Sequence, residues 1–163
     1  MIPIINRSKA DENIEMDRLI KKYANIMFRC AHSYCGNRTD AEDIIQEVFL
    51  KYLNKSPEFK NDDHEKAWLL RVTINTSKDY VKSFWHQKTT SITEDIPYIN
   101  DTDVEIWGDV KKLSPKYRVI IQLFYQEGYS IKEISELLKI RESTIGTQLS
   151  RAREILKKII KEE

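Results

Sequence analysis

The chain has 163 residues, of which 40% are apolar and 33% are charged, while glycine and proline number only four each. This composition is typical of a helical globular protein and argues against a β-sandwich or a disordered chain. No apolar run approaches the ~20 residues that span a bilayer, and no secretory signal opens the sequence. Two cysteines without such a signal favour reduced thiols in the cytoplasm over a disulfide.

The net charge of +1 conceals three blocks of different sign. Residues 1–88 carry +2, residues 89–110 carry −6 without a single base, and residues 111–163 carry +5. An acidic strip between two basic blocks fits two regions that face nucleic acid and a connector that avoids phosphate. Charge alone leaves open the alternative that these are ordinary solvated surfaces.

Helical periodicity runs through the first half of the chain, where apolar residues recur every three or four positions. Gly36 ends the first helix, because glycine readily adopts the left-handed conformation that closes a helix. Thr39 and Glu42 form the pattern of a capping box, which predicts that the second helix begins there. The three predicted helices cover residues 17–34, 39–53 and 65–85, with a polar loop at 60–64.

The second predicted helix has a buried apolar stripe and a separate acidic face. An acidic surface that also exposes a leucine is a poor surface for DNA but a sensible one for a protein partner. The alternative is a solvated face whose charges stabilise the helix N-terminus. The residues of this acidic face are Asp43, Gln46, Glu47 and Leu50.

The middle of the chain is expected to connect two structured regions. Residues 87–102 lack periodicity and contain a proline, which predicts a linker, and a short helix is expected over 103–112. Ser114 and Pro115 then begin a new helix that ends near Gly128, since proline loses no hydrogen bond in the first turn of a helix.

The last two predicted helices carry the sharpest pattern. A capping box at Ser130 and Glu133 begins the first, a turn at 139–141 follows, and the second continues to about Ile160. This spacing predicts a helix-turn-helix, whose second helix enters the major groove of DNA. Short polar side chains and arginine on its outer face suit base edges and phosphates. The candidate DNA contacts are Ser143, Thr144, Thr147, Gln148, Ser150, Arg151 and Arg153.

Two positions in this motif are unusual. Gly146 lies inside the second helix, where glycine costs ~1 kcal/mol relative to alanine, and close approach to DNA is one compensation. Lys139 occupies a turn position where glycine is common, which predicts an unusual backbone angle. The alternative is a helical hairpin with a solvated basic face. The residues expected to face inward are Ile131, Ile134, Leu137, Leu138, Ile145, Leu149, Ala152 and Leu156.

Three motifs in order resemble bacterial RNA polymerase sigma factors. Residues 40–49 (DAEDIIQEVF) resemble the signature of sigma region 2, and residues 68–72 (WLLRV) with Asn75 resemble the promoter-melting helix that follows it. Residues 113–115 (LSP) and 151–153 (RAR) resemble parts of region 4. The spacing is similar to that of the extracytoplasmic-function (ECF) group, which keeps only these two regions.

The resemblance implies an all-α protein with two small helical domains joined by a flexible linker. It places an N-terminal tail at 1–13, region 2 at 14–86, an acidic linker at 87–108 and region 4 at 109–163. Region 2 is then expected to bind core RNA polymerase through the acidic face and the −10 promoter element through a loop and the third helix. In that family a flipped base is held there by stacking and polar contacts. The residues implied at the −10 site, the −10 set, are Phe59, Lys60, Asn61, Asn75, Asp79 and Lys82.

Region 4 is expected to bind the −35 element through the candidate DNA contacts of its last helix, the −35 set. Gly146 and Gln148 stand where the family often has arginine or lysine, and Ser150 stands where bulkier residues are frequent, which leaves the preferred bases open. The alternative for Phe59 and Asn75 is that both are packed structural residues.

The expected partners are core RNA polymerase, promoter DNA and, by the resemblance, an anti-sigma factor. No catalysis or cofactor is expected. No metal is expected either, because Cys30, His32 and Cys35 offer too few ligands and the two sulfurs point apart on one helix.

The rival hypotheses are a stand-alone helix-turn-helix regulator, a site-specific recombinase and an adaptor without DNA contact. A recombinase needs a nucleophile surrounded by arginines, and the N-terminal half shows no such cluster.

Overall fold

The computed structural model describes residues 8–55, 57–85 and 108–162, and every regular element in these ranges is helical. The predicted all-α class is therefore confirmed. The elements are α1 (Lys9–Cys35), α2 (Arg38–Lys55), α3 (Asp62–Trp85), α4 (Pro115–Ile121), a π-helical segment (Gln122–Gln126), α5 (Ile131–Leu138) and α6 (Glu142–Lys161).

The first three helices form a bundle, the first bundle, in which each helix contacts the other two. Its core is made of apolar side chains that are removed from solvent and that recur at helical spacing. Long helices of this kind are stabilised mainly by such packing rather than by local propensity. The largest fully buried side chains of this core are Leu19, Met27, Ile44, Leu69, Leu70 and Ile74.

The first helix begins earlier than its apolar pattern predicted. The Ser8 hydroxyl caps α1 by accepting a hydrogen bond from the Asp11 amide at 3.2 Å, and two acidic residues occupy the first turn. Residues 9–13, which were assigned to a flexible tail, are therefore helical, because a cap and favourable charges stabilise turns that bury little. Gly36 ends α1 as predicted, with a φ of 78°.

The predicted capping box at the start of α2 is wrong. The Asn37 side chain accepts from the Asp40 amide at 2.9 Å, and the carboxylate of Glu42 pairs with Arg38 at 2.7 Å instead of reaching back to a cap. Two capping patterns overlap in this stretch, and asparagine is a stronger N-cap than Thr39.

The third helix also begins before its predicted start. The Asn61 side chain accepts from the His64 amide at 2.9 Å, so α3 begins at Asp62 rather than at residue 65. The polar residues of the predicted loop therefore belong partly to the first helical turn, where acidic side chains are stabilised by the helix dipole.

The second bundle comprises α4, the π-helical segment, α5 and α6. Ser114 and Pro115 begin α4 as predicted, but the helix changes to π geometry at Gln122, which the sequence pattern did not indicate. The capping box of α5 is present, and Lys139 has a φ of 55°, so both predictions are confirmed. The inward residues Ile134, Leu137, Leu138, Ile145, Leu149 and Ala152 are buried, while Ile131 and Leu156 are half-buried.

The two bundles touch each other. Helix α1 contacts α4 and the π-helical segment, and α3 contacts α5. Most of the predicted linker at 87–108 and the first part of the short helix predicted over 103–112 lie outside the described residues, and residues 108–110 form one helical turn. None of the helices the structure describes is long and apolar enough to cross a membrane.

Candidate functional site

An open apolar groove of about 510 Å³ lies between α1 and α2. Ile20 on α1 is 45% exposed and Leu50 on α2 is 57% exposed, which is unusual for large apolar side chains at the centre of a bundle surface. Its lining comprises Met16, Ile20, Ala24, Asn25, Phe28, Glu42, Ile45, Gln46, Phe49 and Leu50.

The acidic face borders this groove. All four of its residues are exposed, and Gln46 and Leu50 line the groove directly. Asp43 and Glu47 lie one helical turn apart beside it, and Glu47 makes only an exposed ion pair with Lys51 at 3.3 Å. The surface therefore combines an apolar floor with an acidic rim, which is the composition of a protein interface.

The loop before α3 packs as an aromatic cluster. The Phe59 ring is half-buried and stacks on Tyr52 with ring centroids 6.0 Å apart, while Trp68 lies at 6.0 Å with its ring tilted by 63°. The His64 ring meets Phe59 edge-on at 5.3 Å. Asn61 is used as the α3 cap. These contacts fix the loop against the first bundle and give Phe59 a packing function.

Of the remaining members of the −10 set, Lys60 is exposed in the loop before α3 and the other three lie along α3. Asn75, Asp79 and Lys82 are exposed at spacings of one helical turn, so they share one face of the helix. Asn61 and Lys82 are separated by roughly 30 Å along the helix axis, at about 1.5 Å per residue. The structure thus brings together a strip rather than one pocket, with the loop at one end and the cation at the other.

The second helix of the helix-turn-helix presents the −35 set mostly to solvent. Ser143, Thr144, Thr147, Ser150, Arg151 and Arg153 are exposed, whereas Gln148 is half-buried. The hydroxyl of Thr147 donates to the Ser143 carbonyl at 2.9 Å. A Cβ added at Gly146 would meet nothing within 4 Å, so packing within the described residues does not require glycine there.

The two arginines of the −35 set differ in their surroundings. The Arg153 guanidinium donates to the Tyr125 hydroxyl at 2.5 Å and lies 5.5 Å from the centroids of the Phe124 and Tyr125 rings. Arg151 has no such contact with any residue that the structure describes. Arg153 therefore contributes to packing of the second bundle, while Arg151 is available to a ligand.

Comparison with known proteins identifies the family. The model of Sigma-70 region 2 matches residues 19–87, and that of Sigma-70 region 4 matches residues 110–156. RNA polymerase sigma factor SigZ of Bacillus subtilis is 30% identical over 135 residues, covering 77% of this chain and 75% of SigZ. ECF RNA polymerase sigma factor SigE of Mycolicibacterium smegmatis is 27% identical over 154 residues, covering 86% of this chain and 60% of SigE. The chain is an ECF sigma factor.

The solved structures agree with this assignment at the level of the fold. Sigma factor RpoE of Bartonella quintana, solved with the anti-sigma factor NepR, superposes with a TM-score of 0.71 at 20% identity, covering 90% of this chain and 97% of RpoE. The predicted family and its function, promoter-directed transcription initiation, are confirmed. Sigma factors of this family are regulatory DNA-binding proteins.

A buried polar cluster of the first bundle was missed by sequence reasoning. The Glu65 carboxylate, whose side chain is 7% exposed, accepts from Arg18 at 2.8 and 3.0 Å, from Tyr23 at 2.9 Å and from Tyr52 at 2.8 Å. The hydrogen bonds from Arg18 are the largest of the causes that lower the pKa of Glu65 to about 2. We call these four residues the glutamate cluster. Only the placement of a glutamate on an inward position of α3 could have signalled it.

The exposure of Ile20 was also missed, because helical periodicity does not show which apolar residues of α1 the other helices cover. The apolar residues of α1 cover more of its circumference than α2 and α3 bury, and that width is the sequence signal for an exposed apolar position. Among the described residues, no group of His, Cys, Asp and Glu side chains is arranged to hold a metal ion.

Proposed function

We propose that this sigma factor is a bipartite promoter reader whose first bundle binds both core polymerase and the −10 element, while its second bundle binds the −35 element. The observation that carries the first assignment is the open groove between α1 and α2 with the acidic face beside it. The proposed division of roles is supported by the family models, which match region 2 on the first bundle and region 4 on the second.

The groove suits a helical partner with an apolar stripe and basic flanks. Its exposed side chains Ile20 and Leu50 supply the apolar centre, and Asp43 and Glu47 supply negative charge at the edge. Apolar anchors set the affinity of such an interface, while the charges at its rim mainly accelerate association. We assign this surface to the coiled coil of the largest polymerase subunit, which the matching face binds in the family.

A pair of substitutions tests the groove. Ile20→Asp combined with Leu50→Asp should weaken binding to core polymerase by at least tenfold, since it places charge in the apolar centre. The matched control is Ile14→Asp, because Ile14 lies on the same helix, is 69% exposed and does not line the groove. A fluorescence titration measures the affinities of the parent protein, the double variant and the control. Equal affinities of the three for core polymerase would refute this assignment.

The acidic rim has a separate test. Asp43→Lys combined with Glu47→Lys should slow association with core polymerase and reduce its dependence on salt concentration, as expected for charges at the rim of an interface. Unchanged association kinetics would show that the acidic face is only a solvated surface.

We assign the −10 element to the strip on α3. A single strand needs cations for its backbone and polar groups for its base edges, and Lys82 and Asn75 supply these on one exposed face. Asp79 lies between them, where a carboxylate accepts from base amino groups. The aromatic cluster around Phe59 is proposed to hold the neighbouring loop in place.

The α3 strip is tested with single-stranded and double-stranded −10 oligonucleotides bound to the holoenzyme. Asn75→Ala should weaken binding of the single strand in a sequence-dependent manner, by about 1 kcal/mol or more. Asn54→Ala on α2 is the control, because Asn54 is an exposed asparagine outside the strip. A loss that is equal for every sequence would make Asn75 a backbone contact.

We assign the −35 element to the outer face of α6. Arg151 is the best candidate for a base contact, because it is exposed and lacks the aromatic contacts that hold Arg153. Gly146 leaves open space on the helix surface, which permits close approach of the DNA. The half-buried Gln148 is expected to contribute less than the exposed residues.

Replacing Arg151 by alanine should weaken −35 binding by ~1–3 kcal/mol and relax base preference at one position. Arg153→Ala should instead lower the stability of the second bundle, and Lys116→Ala on α4 serves as an exposed basic control. A uniform loss across sequences for Arg151→Ala would identify a phosphate contact instead of a base contact.

We further propose that the protein acts in the cytoplasm with polymerase, which supplies the catalysis, and that an anti-sigma factor regulates it. The support for the regulator is the fold shared with RpoE, which was solved with NepR. The rival function is a stand-alone regulator. Transcription from a promoter library with core polymerase decides between them, since tight duplex binding without promoter-specific transcripts would favour the rival.

A further inference from the structure

A small cavity lies where the C-terminal end of α1 meets α4 and residues 108–112. Its volume is about 40 Å³. Since a buried water needs roughly 10–15 Å³ of such space, the cavity has room for about three water molecules. Among the described residues, the lining contains no carboxylate, and its titratable side chains are all basic: Arg29, His32, Lys111 and Arg118.

The Arg118 guanidinium brings a positive charge that no described carboxylate neutralises. It donates to the Ser33 and Tyr34 carbonyls at 2.6 and 3.0 Å and to the Lys111 carbonyl at 3.2 Å. These hydrogen bonds use three of the five N–H donors of a guanidinium, so the other two have no acceptor among the described residues. Burial lowers the pKa of Arg118, as expected for a cation that leaves water without an opposite charge beside it.

The dipole of α1 offsets only part of this charge. The negative end of a helix is equivalent to roughly half an elementary charge, and the carbonyls that carry it are already occupied here. Arg118 occupies two of them, and the Gly36 amide donates to the His32 carbonyl at 2.8 Å. Lys111 is exposed, adds a second positive charge and forms no ion pair with any described residue. The wall of the cavity is therefore positive on balance.

Two other polar residues of the lining are already paired. Arg29 donates to both carboxylate oxygens of Glu127, at 2.5 and 3.1 Å. Gln122, which is 1% exposed, donates to the same carboxylate at 2.7 Å and accepts from the Cys30 thiol at 3.4 Å. Glu127 thus neutralises Arg29, and the cations that remain without an opposite charge are those of residues 111 and 118.

His32 adds a buried polar atom to the same space. Its side chain is 7% exposed, and its Nε2 atom has no hydrogen-bond partner among the described residues. Buried polar atoms of native proteins normally bond to a protein group, a water or a bound ligand. Burial and the charges of Lys111 and Arg118 lower the pKa of His32 to about 4, so both cations lie close enough to act on the ring. An imidazole, an ammonium and a guanidinium therefore converge on one small cavity.

This set of groups suits a compact oxyanion. Phosphate and sulfate carry several acceptor oxygens on one small centre, and arginine and lysine are common ligands for them. The volume of the cavity admits a tetrahedral ion of this kind and excludes the base and sugar of a nucleotide. Gly36 leaves the guanidinium open, since a Cβ at this position would lie 4.0 Å from the Nη2 atom of Arg118. Water alone would satisfy Nε2 but would leave both cations without an opposite charge.

We propose that this cavity is a binding site for an inorganic oxyanion of the size of phosphate, held by Arg118, Lys111 and His32. The site does not depend on the polymerase and promoter contacts proposed above. Its ligands come from α1, from the turn before α4 and from α4, so a bound anion stabilises the packing of these segments. By mass action, this stabilisation grows with the concentration of the anion.

Titration of the full chain with inorganic phosphate tests the site. Phosphate replaces chloride at constant ionic strength and constant pH, and NMR follows the imidazole resonances of His32, which are identified by their loss in His32→Phe. These resonances should shift and then saturate as phosphate is added, while those of the exposed His64 should not. Sulfate should give the same response, because it is also a compact tetrahedral oxyanion.

Two neighbouring lysines separate a specific site from a general effect of salt. Lys111→Gln should weaken phosphate binding about tenfold, as for the loss of a hydrogen bond to a charged group. Lys112→Gln is the matched control, because Lys112 pairs with Asp109 at 3.4 Å and does not line the cavity. Each change removes one exposed positive charge, so screening by salt affects both variants equally. Arg118 is left in place because its hydrogen bonds hold α4 against α1.

Thermal unfolding provides a second measurement. Phosphate and sulfate stabilise folded proteins in general because they are excluded from protein surfaces, so the rise in Tm must be larger in the parent than in Lys111→Gln. Equal rises in these two proteins, or equal phosphate affinities of Lys111→Gln and Lys112→Gln, would overturn the site. A His32 resonance that does not respond to phosphate would show that water alone fills the cavity, and one that responds equally to chloride would show an unspecific ionic effect.

Discussion

The glutamate cluster lies within the first bundle, whereas a second polar network, here called the clasp, joins the two bundles. In the clasp, Arg29 donates to Glu127 at 2.5 and 3.1 Å, Gln122 donates to Glu127 at 2.7 Å, and Arg118 donates to the last carbonyls of α1. The two networks differ in how completely they are packed. Glu65 receives hydrogen bonds from three side chains of its own bundle. Beside the clasp, by contrast, His32, Arg29, Arg118 and Gln122 line a cavity of about 40 Å³. Side chains that line a cavity lose packing contacts on one side, which destabilises the packed state.

The difference indicates which contact is permanent. A satisfied buried network adds to a core that must stay folded, because losing the shared carboxylate removes an acceptor from several donors at once. A contact that encloses a cavity gains less packing energy and separates more easily. The first bundle is therefore expected to survive conditions that open the clasp.

Glu65→Ala is expected to have the largest effect. It removes the acceptor that Arg18, Tyr23 and Tyr52 share, while Arg18 is 40% exposed and keeps its ion pair with Glu15. The free energy of unfolding of the first bundle should therefore fall by about 2–3 kcal/mol, as for lost hydrogen bonds to a charged group. Urea unfolding followed by circular dichroism measures this, with the exposed Glu58→Ala as control. A loss as small as that of the control would remove the contrast between the two networks.

Gln122→Leu should affect the clasp instead of the bundle. The leucine cannot donate to Glu127 or accept from Cys30, so the packed arrangement of the two bundles should lose about 1–3 kcal/mol, as for a buried hydrogen-bonding group. In a Cys35→Ser background, where Cys30 is the remaining thiol, alkylation of the buried Cys30 should accelerate while the urea midpoint of the first bundle stays unchanged. A shift of the midpoint without faster labelling would place Gln122 in the core rather than in the clasp.

Acid should open the clasp before it unfolds the first bundle. Burial and the nearby charges of Lys111 and Arg118 lower the pKa of His32 to about 4 from 6.5, so an exposed imidazole binds a proton more readily than the buried one. The contribution of neutral His32 to the stability of the packed arrangement is complete above pH 6.5 and is lost as the pH falls toward 4. Arg18 lowers the pKa of Glu65 to about 2 from 4.5, so that contribution is lost only below pH 4.5.

Solution scattering and circular dichroism between pH 7 and pH 3 measure the two events separately. The radius of gyration should increase in the upper part of this range while helicity remains. Replacing His32 with phenylalanine should remove the increase in radius at the higher pH values, because phenylalanine has no group that binds a proton. A single transition, in which radius and helicity change together, would mean that the clasp and the first bundle are equally stable.

Tyr23→Phe should have the smallest effect, about 1 kcal/mol on unfolding of the first bundle. It removes one hydrogen bond of 2.9 Å to Glu65 while the Arg18 and Tyr52 hydrogen bonds remain. Thermal unfolding measures the loss. A loss as large as that of Glu65→Ala would indicate that the cluster acts as one unit rather than as separable bonds.

Local patterns were sufficient for many features of this sigma factor. The capping box at Ser130, the left-handed Lys139 and the inward spacing around Ile145 follow from interactions within a few residues, and all three are present. The capping box predicted at Thr39 was wrong because Asn37 offers a competing cap two residues earlier. A local sequence pattern does not determine the N-cap where two overlapping caps have similar free energies.

The helical class, the helix-turn-helix and the family could be predicted from the sequence, because these depend on periodicity, caps and ordered motifs. The open groove beside Ile20, the packing of Arg153 on Tyr125 and the pairing of Arg29 with Glu127 could not be predicted, because they depend on tertiary packing. Arg29 and Glu127 lie 98 residues apart in the chain, and no local pattern specifies which surfaces of two bundles come together. Such contacts depend on the shape and charge of complete folded surfaces, which exist only after each bundle has packed.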